Sequence, residues 1–295
     1  MDTAVVLSME LQGKRDRLLT LLREMRRVAV AFSGGIDSTV VAKAACLALG
    51  DAAVAVTADS PSVPRAEIAE AKSLAERIGI RHVLVATAEF ANPDYARNDG
   101  SRCYHCKDEL YGQIESILPG LACEVICSGA NLDDLGDYRP GLIAAAEHRV
   151  RHPLQEAGFS KADVRALALH WDLPTWDKPA SPCLSSRIAP GVAATAERTA
   201  RVEAAEAYLK KLGYREFRVR LHEGELARIE VPPDGLAKLV EPGVCADMVR
   251  HLKSLGFRFV TLDLEGFRSG SLNELIPLEI RLQNQTTLRG DVHER

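Results

Sequence analysis

The stretch Arg27-Val-Ala-Val-Ala-Phe-Ser-Gly-Gly-Ile-Asp-Ser38 decides how this chain is read. From Arg27 to Phe32 it is short and apolar and runs into a glycine pair, the pattern of a strand buried on both faces. From Ser38 to Leu49 Ala and Leu recur at helical spacing until Gly50, which predicts a helix. Strand, Gly-Gly turn and helix place a loop at the carboxyl end of a strand, where open sheets bind ligands. Gly34 and Gly35 allow a tight turn with successive N–H groups bared, and the positive end of the helix faces the same spot. Ser33 and Ser38 add hydroxyl groups, and Asp37 a carboxylate for Mg²⁺ or for fixing the turn. The loop suits a phosphate.

Outward from this stretch, strands are predicted at Ala53–Ala58, His82–Ala86 and Cys123–Ser128, with a short fifth at Arg151–Leu154. A helix is predicted from Pro64 to Ile78, and Ser160-Lys-Ala-Asp163 reads as a capping box for a helix running to Trp171. Strands alternating with helices imply crossover connections, hence a doubly wound, mostly parallel α/β sheet. Leu173–Gly191 holds four prolines and no helical period, which reads as a functional loop. From Thr195 the pattern restarts. Helices at Thr195–Leu212, Asp234–Leu239 and Val244–Leu255 alternate with strands at Phe217–His222, Leu226–Val231 and Phe259–Asp263. The expected organisation is a domain over 1–191 that includes an N-terminal helix, then a smaller α+β domain over 192–295 for substrate binding or oligomerisation.

Lys and Arg number 37 against 41 Asp and Glu, a net charge of −4. A protein that grips a long nucleic acid draws most of its affinity from phosphate neutralisation and carries a basic excess. This balance argues against nucleic acid as the partner. No apolar run approaches the roughly 18 residues that span a membrane. Residues 1–27 read as an amphipathic helix with Leu7, Leu11, Leu18, Leu21 and Leu22, without the apolar core and cleavage site of a signal peptide. With seven cysteines and no export signal, reduced thiols and a cytoplasmic location are expected.

The phosphate loop is not a Walker A motif, since no Gly-Lys-Ser/Thr follows at the required spacing, and it lacks the three-glycine dinucleotide fingerprint. Ser128-Gly-Ala-Asn-Leu-Asp-Asp134 follows the fourth strand. Its Asp133 and Asp134 suit Mg²⁺, and an Asx-type turn is the plainer reading. Cys103-Tyr-His-Cys106 is expected in a loop just before a helix, with both thiols facing one ion or cluster. A single C-x-x-C is shared by zinc, redox and iron–sulfur sites. Cys183, in the Pro-rich loop, makes a third thiol; a zinc site would need a fourth ligand, with His105 and His152 as candidates. Cys46, Cys123, Cys127 and Cys245 read as small buried hydrophobes.

Ser-Gly-Gly-Ile-Asp-Ser resembles the PP-loop of the ATP pyrophosphatases, whose fold is that of the adenine nucleotide alpha hydrolases. Arg102-Cys-x-x-Cys-Lys107, Gly129-Ala-Asn-x-Asp-Asp134 and Lys178-Pro-Ala-Ser-Pro-Cys-Leu-Ser-Ser-Arg187 follow it in order. Together with Arg218-Val-Arg220 they resemble the LarE family of ATP-dependent sulfur transferases over most of the chain. The resemblance implies adenylation of the carboxylates of pyridinium-3,5-biscarboxylic acid mononucleotide and their conversion to thiocarboxylates for the nickel-pincer nucleotide of lactate racemase. It implies ATP contacts from Ser33, Gly34, Gly35, Asp37, Ser38, Thr57, Ala58, Gly129, Asn131, Asp134 and Arg187, with Asp37 and Cys183 catalytic. Arg218 and Arg220 would take the substrate phosphate, with Glu206 and Glu230 as metal ligands or as partners of these arginines. Some family members sacrifice the sulfur of a lone cysteine at the position of Cys183. Others bind a [4Fe-4S] cluster that carries an extra sulfide through three cysteines. Cys103, Cys106 and Cys183 make this chain resemble the second type. Such enzymes form homo-oligomers built from trimers, up to hexamers; the sulfide donor is not implied.

Three other readings stand beside this one. A tRNA thiolase of the same superfamily needs a basic surface. An amide-forming synthetase needs ammonia and a glutaminase partner, which nothing in the sequence supplies. A non-catalytic nucleotide sensor would form no AMP and pyrophosphate.

Overall fold

Helix α1 (Met9–Met25) leads into strand β1 (Val28–Ala31), then α2 (Ile36–Leu49), β2 (Ala53–Asp59), α3 (Arg65–Ile78) and β3 (Arg81–Ala86). A short α4 (Pro93–Ala96) precedes α5 (Arg102–Leu121), β4 (Val125–Cys127), α6 (Pro140–Glu147), α7 (Pro153–Glu156) and α8 (Lys161–His170). After a long irregular stretch come α9 (Ala196–Lys211), β5 (Arg218–His222), β6 (Leu226–Glu230), α10 (Leu236–Leu239), α11 (Pro242–Ser254) and β7 (Phe259–Leu262). The computed structural model describes residues 7–136, 140–179, 181–268 and 272. The chain divides into two compact units: Met1–Ala88 with Cys103–Ser181, and Glu89–Arg102 with Pro182–Arg295.

In the first unit the strands pair in the order β3-β2-β1-β4, all parallel. Side chains alternate across a strand, and β1 shows what that alternation does here. Val28 and Val30 pack with residues of α1, α2, α3 and α8, whereas Ala29 packs with Leu110, Tyr111 and Ile114 of α5 and Ala144 and Ala145 of α6. Helices thus cover both faces, the doubly wound α/β arrangement expected from the sequence. Ser8 caps α1, its Oγ accepting from Leu11 N at 3.2 Å, and the helix buries Leu11, Leu18, Leu22 and Met25. The Ser160–Asp163 capping box is present at the start of α8.

The expected strand at Arg151–Leu154 is reduced to one bridge between Arg151 and Cys127, and the chain then turns into α7. Pro153 has no N–H for a ladder but suits the first position of a helix, where it stands.

In the second unit β5 and β6 form an antiparallel hairpin, and β7 joins β6 in parallel. Val202, Ala205 and Leu209 of α9, Val219 and Leu221 of β5, and Ile229 of β6 are fully buried. This unit begins at Pro182 rather than at 192 and takes in Glu89–Arg102. The reason lies in Asn98, whose side-chain amide donates to the carbonyl oxygens of Ile188 (3.2 Å), Ala189 (2.9 Å) and Val192 (2.9 Å). A buried amide with several partners ties distant segments together, and no periodicity announces it.

Candidate functional site

The loop between β1 and α2 turns at Gly34, whose φ of 69° lies in the left-handed region that glycine enters freely. A Cβ at Gly34 would stand 3.3 Å from the Cβ of Ala71. Ser38 Oγ lies 3.0 Å from Gly35 O, 3.2 Å from Ser33 Oγ and 3.3 Å from Ser33 N. Thr39 Oγ1 donates to the same Gly35 carbonyl at 2.8 Å. The loop is therefore preshaped by its own hydroxyls, and β1 and α2 fix its two ends.

A cavity of about 240 Å³ opens on this loop, lined by Ser33, Gly35, Ile36, Asp37, Glu67, Lys161, Arg165, Lys178, Pro179 and Ser181. Lys161 Nζ lies 2.5 Å from Asp37 Oδ2, and Lys178 Nζ lies 2.8 Å from Glu70 and 3.3 Å from Gly34 O. Three cations outnumber the two carboxylates of the lining, Asp37 and Glu67, so the recess favours a polyphosphate that draws Lys161 and Lys178 from their carboxylate partners. Lys161 and Arg165 did not figure among the expected site residues. Lys161 is the first residue of α8, and the Ser160–Asp163 capping box was the one available signal.

The segment after β4 braces the loop from the side. Asn131 Nδ2 donates to Asp37 Oδ1 at 3.0 Å, so Asn131 and Lys161 hold the two carboxylate oxygens of Asp37. Gly129 passes so close to α2 that a Cβ there would meet Ser38 N at 2.7 Å and the Asp37 carbonyl carbon at 2.9 Å. Asp134 Oδ2 accepts from Asn131 N at 2.9 Å, and Asp133 Oδ2 from Lys161 N at 2.7 Å. Both carboxylates thus satisfy backbone donors, and neither lines the cavity. Thr57, at the end of β2, gives its hydroxyl to Phe32 O (2.6 Å) beside His82 Nε2 (2.8 Å), and Ala58 pairs with Val85 in the sheet.

The structure places Cys103 and Cys106 on the first turn of α5 rather than in a loop before it. Asp99 Oδ1 takes the N–H of Ser101 at 2.8 Å, an Asx turn that delivers the chain into the helix early. Three residues apart on a helix, the two side chains share one face; Cys103 is exposed and Cys106 half-buried. His152 is held below the usual imidazole range by burial and bonds Ser128 Oγ at 2.7 Å. Cys123 and Cys127 are buried, and Cys46 and Cys245 half-buried. Burial pushes the Cys127 thiol up to about 12. Among the described residues no group of three His, Cys, Asp or Glu side chains is placed to hold a metal ion.

The second unit carries Cys183 and the arginines. Cys183 caps a 3₁₀ turn over Leu184–Arg187 and is half-buried. Arg187, 3% exposed, lies 3.2 Å from Glu206 and donates to the Cys183 carbonyl at 2.9 Å. Arg220 is paired with Glu230 at 3.0 Å, and Arg228 reaches the other oxygen of the same fully buried carboxylate at 2.9 Å. Glu206 and Glu230 are thus partners of arginines. Arg218 differs from its neighbours: its guanidinium stacks over Phe267 at 5.1 Å and donates to Phe217 O at 2.7 Å. Burial, then the nearby Arg187, pull its pKa down from the usual arginine value. A half-buried cation among cations favours an incoming anion.

Residues 20–96 match the NAD synthase family. The chain is 46% identical to an uncharacterized protein of Synechocystis sp., the match covering 90% of this chain and 99% of that one. It is 42% identical to pyridinium-3,5-bisthiocarboxylic acid mononucleotide synthase of Lactiplantibacillus plantarum, over 90% of this chain and 96% of that protein. It is 29% identical to tRNA-specific 2-thiouridylase MnmA of Azorhizobium caulinodans, over 52% of this chain and 49% of that protein. Among the described residues no helix is long and apolar enough to cross a membrane. A PP-loop cradle on a parallel sheet, and a relative matched almost end to end, lead to one assignment: the chain belongs to the LarE family of ATP-dependent sulfur transferases within the PP-loop ATP pyrophosphatases.

Proposed function

We propose that this protein adenylates the carboxylates of pyridinium-3,5-biscarboxylic acid mononucleotide and converts them to thiocarboxylates, as in biosynthesis of the nickel-pincer nucleotide of lactate racemase. The observation that carries the first half is the cationic recess on the Ser33–Ser38 loop, formed with Lys161, Arg165 and Lys178. A carboxylate is a poor electrophile. Its oxygen attacks the α-phosphorus of ATP, and pyrophosphate leaves into the recess, where backbone N–H groups and the three cations take up its charge. Sulfur then attacks the acyl carbon, and AMP departs with the original carboxylate oxygen. Asp37, whose carboxylate is held by Asn131 and Lys161, would give Mg²⁺ a hard oxygen ligand once Lys161 turns to the phosphates, and the ion would help neutralise them. Arg218, with Arg220 beside it in β5, binds the phosphate of the mononucleotide.

The donor set Cys103, Cys106 and Cys183 has the chemistry for a [4Fe-4S] cluster with one iron lacking a protein ligand. The chemistry such a cluster supplies is sulfide for the acyl carbon. Turnover then does not consume the Cys183 side chain. A cytoplasmic location and a homo-oligomer built from trimers, up to a hexamer, go with this reading.

The test is anaerobic purification, iron and sulfide analysis, and incubation with ATP, Mg²⁺, sulfide and the mononucleotide. The expected result is about four irons per chain, AMP and pyrophosphate formed only with substrate, and a thiocarboxylate product with Cys183 intact by mass spectrometry. AMP formation indifferent to the mononucleotide would overturn the substrate. A colourless zinc protein, or iron content unchanged in Cys103→Ala, would overturn the cluster.

A further inference from the structure

Residues 89–102 leave the first unit at Ala88, join the second, and return at Cys103. Their side chains converge on the turn that follows Cys183. Tyr95, 1% exposed, has its hydroxyl 2.7 Å from the hydroxyl of Ser185, which is itself fully buried. Arg102 Nη1 donates to the Ser185 carbonyl at 2.7 Å and also to Asn98 Oδ1. Asn98, 2% exposed with φ of 55°, passes the restraint on to the carbonyls of Ile188, Ala189 and Val192. Asn tolerates that left-handed conformation better than most residues.

Cys183 lies two residues from Ser185, and its own backbone is fixed as firmly. Its carbonyl accepts from Ser186 N (3.0 Å), Ser186 Oγ (2.6 Å) and Arg187 Nη1 (2.9 Å). The thiol makes no hydrogen bond among the described residues. The turn therefore holds the carbonyls of Pro182, Cys183 and Ser185, and none of these hydrogen bonds uses the sulfur.

We infer that Tyr95, Asn98 and Arg102 are positioning residues that hold the Cys183 turn in the geometry needed for sulfur transfer. The inference rests on the reading of Cys183 given above. They act through Ser185 and the carbonyls that follow it. Side chains locked by packing and further hydrogen bonds are what hold a reacting group within a fraction of an ångström. A small misplacement is enough to slow the chemistry roughly a hundredfold.

The test compares Tyr95→Phe, Arg102→Ala and Arg102→Lys with the wild type in two half-reactions and one labelling assay. Substrate-dependent ATP–pyrophosphate exchange reads adenylation, and single-turnover thiocarboxylate formation reads sulfur transfer. Peptide mass spectrometry reads the rate at which iodoacetamide labels Cys183 in apoprotein, with Cys245 as internal standard. The expected result is exchange within about twofold of wild type, transfer slowed roughly ten- to a hundredfold, and Cys183 labelled several-fold faster. Arg102→Lys, which keeps one donor to the Ser185 carbonyl, recovers part of the transfer rate. Exchange and transfer falling together, or labelling of Cys183 unchanged in Tyr95→Phe and Arg102→Ala, would overturn the inference. If the wild type itself forms no thiocarboxylate, the reading of Cys183 falls, and the labelling rates alone decide whether these residues hold the turn.

Discussion

Gly129 shows how much of an active-site loop hangs on one missing methyl. The atoms a Cβ would meet there, Ser38 N and the Asp37 carbonyl carbon, are backbone at the start of α2, so they cannot rotate aside. Gly129→Ala forces the segment after β4 away from the phosphate loop, an overpacking that costs about 1–3 kcal/mol. It also moves Asn131 off Asp37. The expected outcome is a lower melting temperature together with ATP affinity reduced roughly tenfold or more by calorimetry. Gly13 in α1 has nothing within 4 Å of an added Cβ, so Gly13→Ala should leave stability unchanged or raise it by up to about 1 kcal/mol. The glycines of both loops were legible in the sequence, because Gly-Gly and Gly-Ala-Asn are local signals. Lys161 and Arg165 were not, since what brings Lys161 to Asp37 and Arg165 to the cavity wall is the packing of α8 against α2, a contact across more than a hundred residues of chain.

Between elements, ion pairs buried to different depths carry different consequences. Glu230 in β6 is fully buried and faces Arg220 of β5 and Arg228 of its own strand. Removing one member of a buried group leaves charge desolvated without its counterpart, which destabilises by roughly 3–5 kcal/mol. Glu230→Ala should show that loss in urea unfolding, while Glu197→Ala, an exposed partner of Arg201, should change stability by less than about 1 kcal/mol. Period-two alternation predicts that Arg218 and Arg220 share a face. It does not predict that Arg220 closes on Glu230 while Arg218 stacks on Phe267. The link between α5 and α6 is sensitive to pH. His148 lies 3.0 Å from both Asp108 and Glu115. Burial pulls its pKa down, but the hydrogen bonds with these two carboxylates outweigh burial and leave it above the usual imidazole value. A histidine raised on folding contributes stability that is complete below its unfolded pKa, about 6.5, and is lost as pH rises through the folded value. His148→Gln should therefore destabilise more at about pH 5.5 than at about pH 8. An equal loss at both would remove the charge from this account.

Across the whole molecule, the alternation of strands and helices was enough to give the doubly wound sheet, because each buried strand is a local apolar run. The division into units was less legible. It depends on buried side chains such as Asn98 and Tyr95, which join segments some ninety residues apart. Charge is the whole-chain property that bears most directly on function. The tRNA thiolase MnmA matches only half of this chain, and this chain covers only half of that protein. Binding tRNA requires many phosphate contacts, each releasing counterions, so affinity depends on a cationic surface and falls steeply with salt. With 41 acidic against 37 basic residues, and several of those arginines turned onto carboxylates, little positive charge remains for such a surface. Gel-shift titration at physiological salt should therefore detect no tRNA complex. ATP with Mg²⁺ at a hundredfold excess over its Kd should stabilise the same preparation by about 2.7 kcal/mol. A salt-sensitive tRNA complex of submicromolar affinity would mean that charge is clustered in a way net balance conceals, and it would restore the thiolase reading over the small nucleotide.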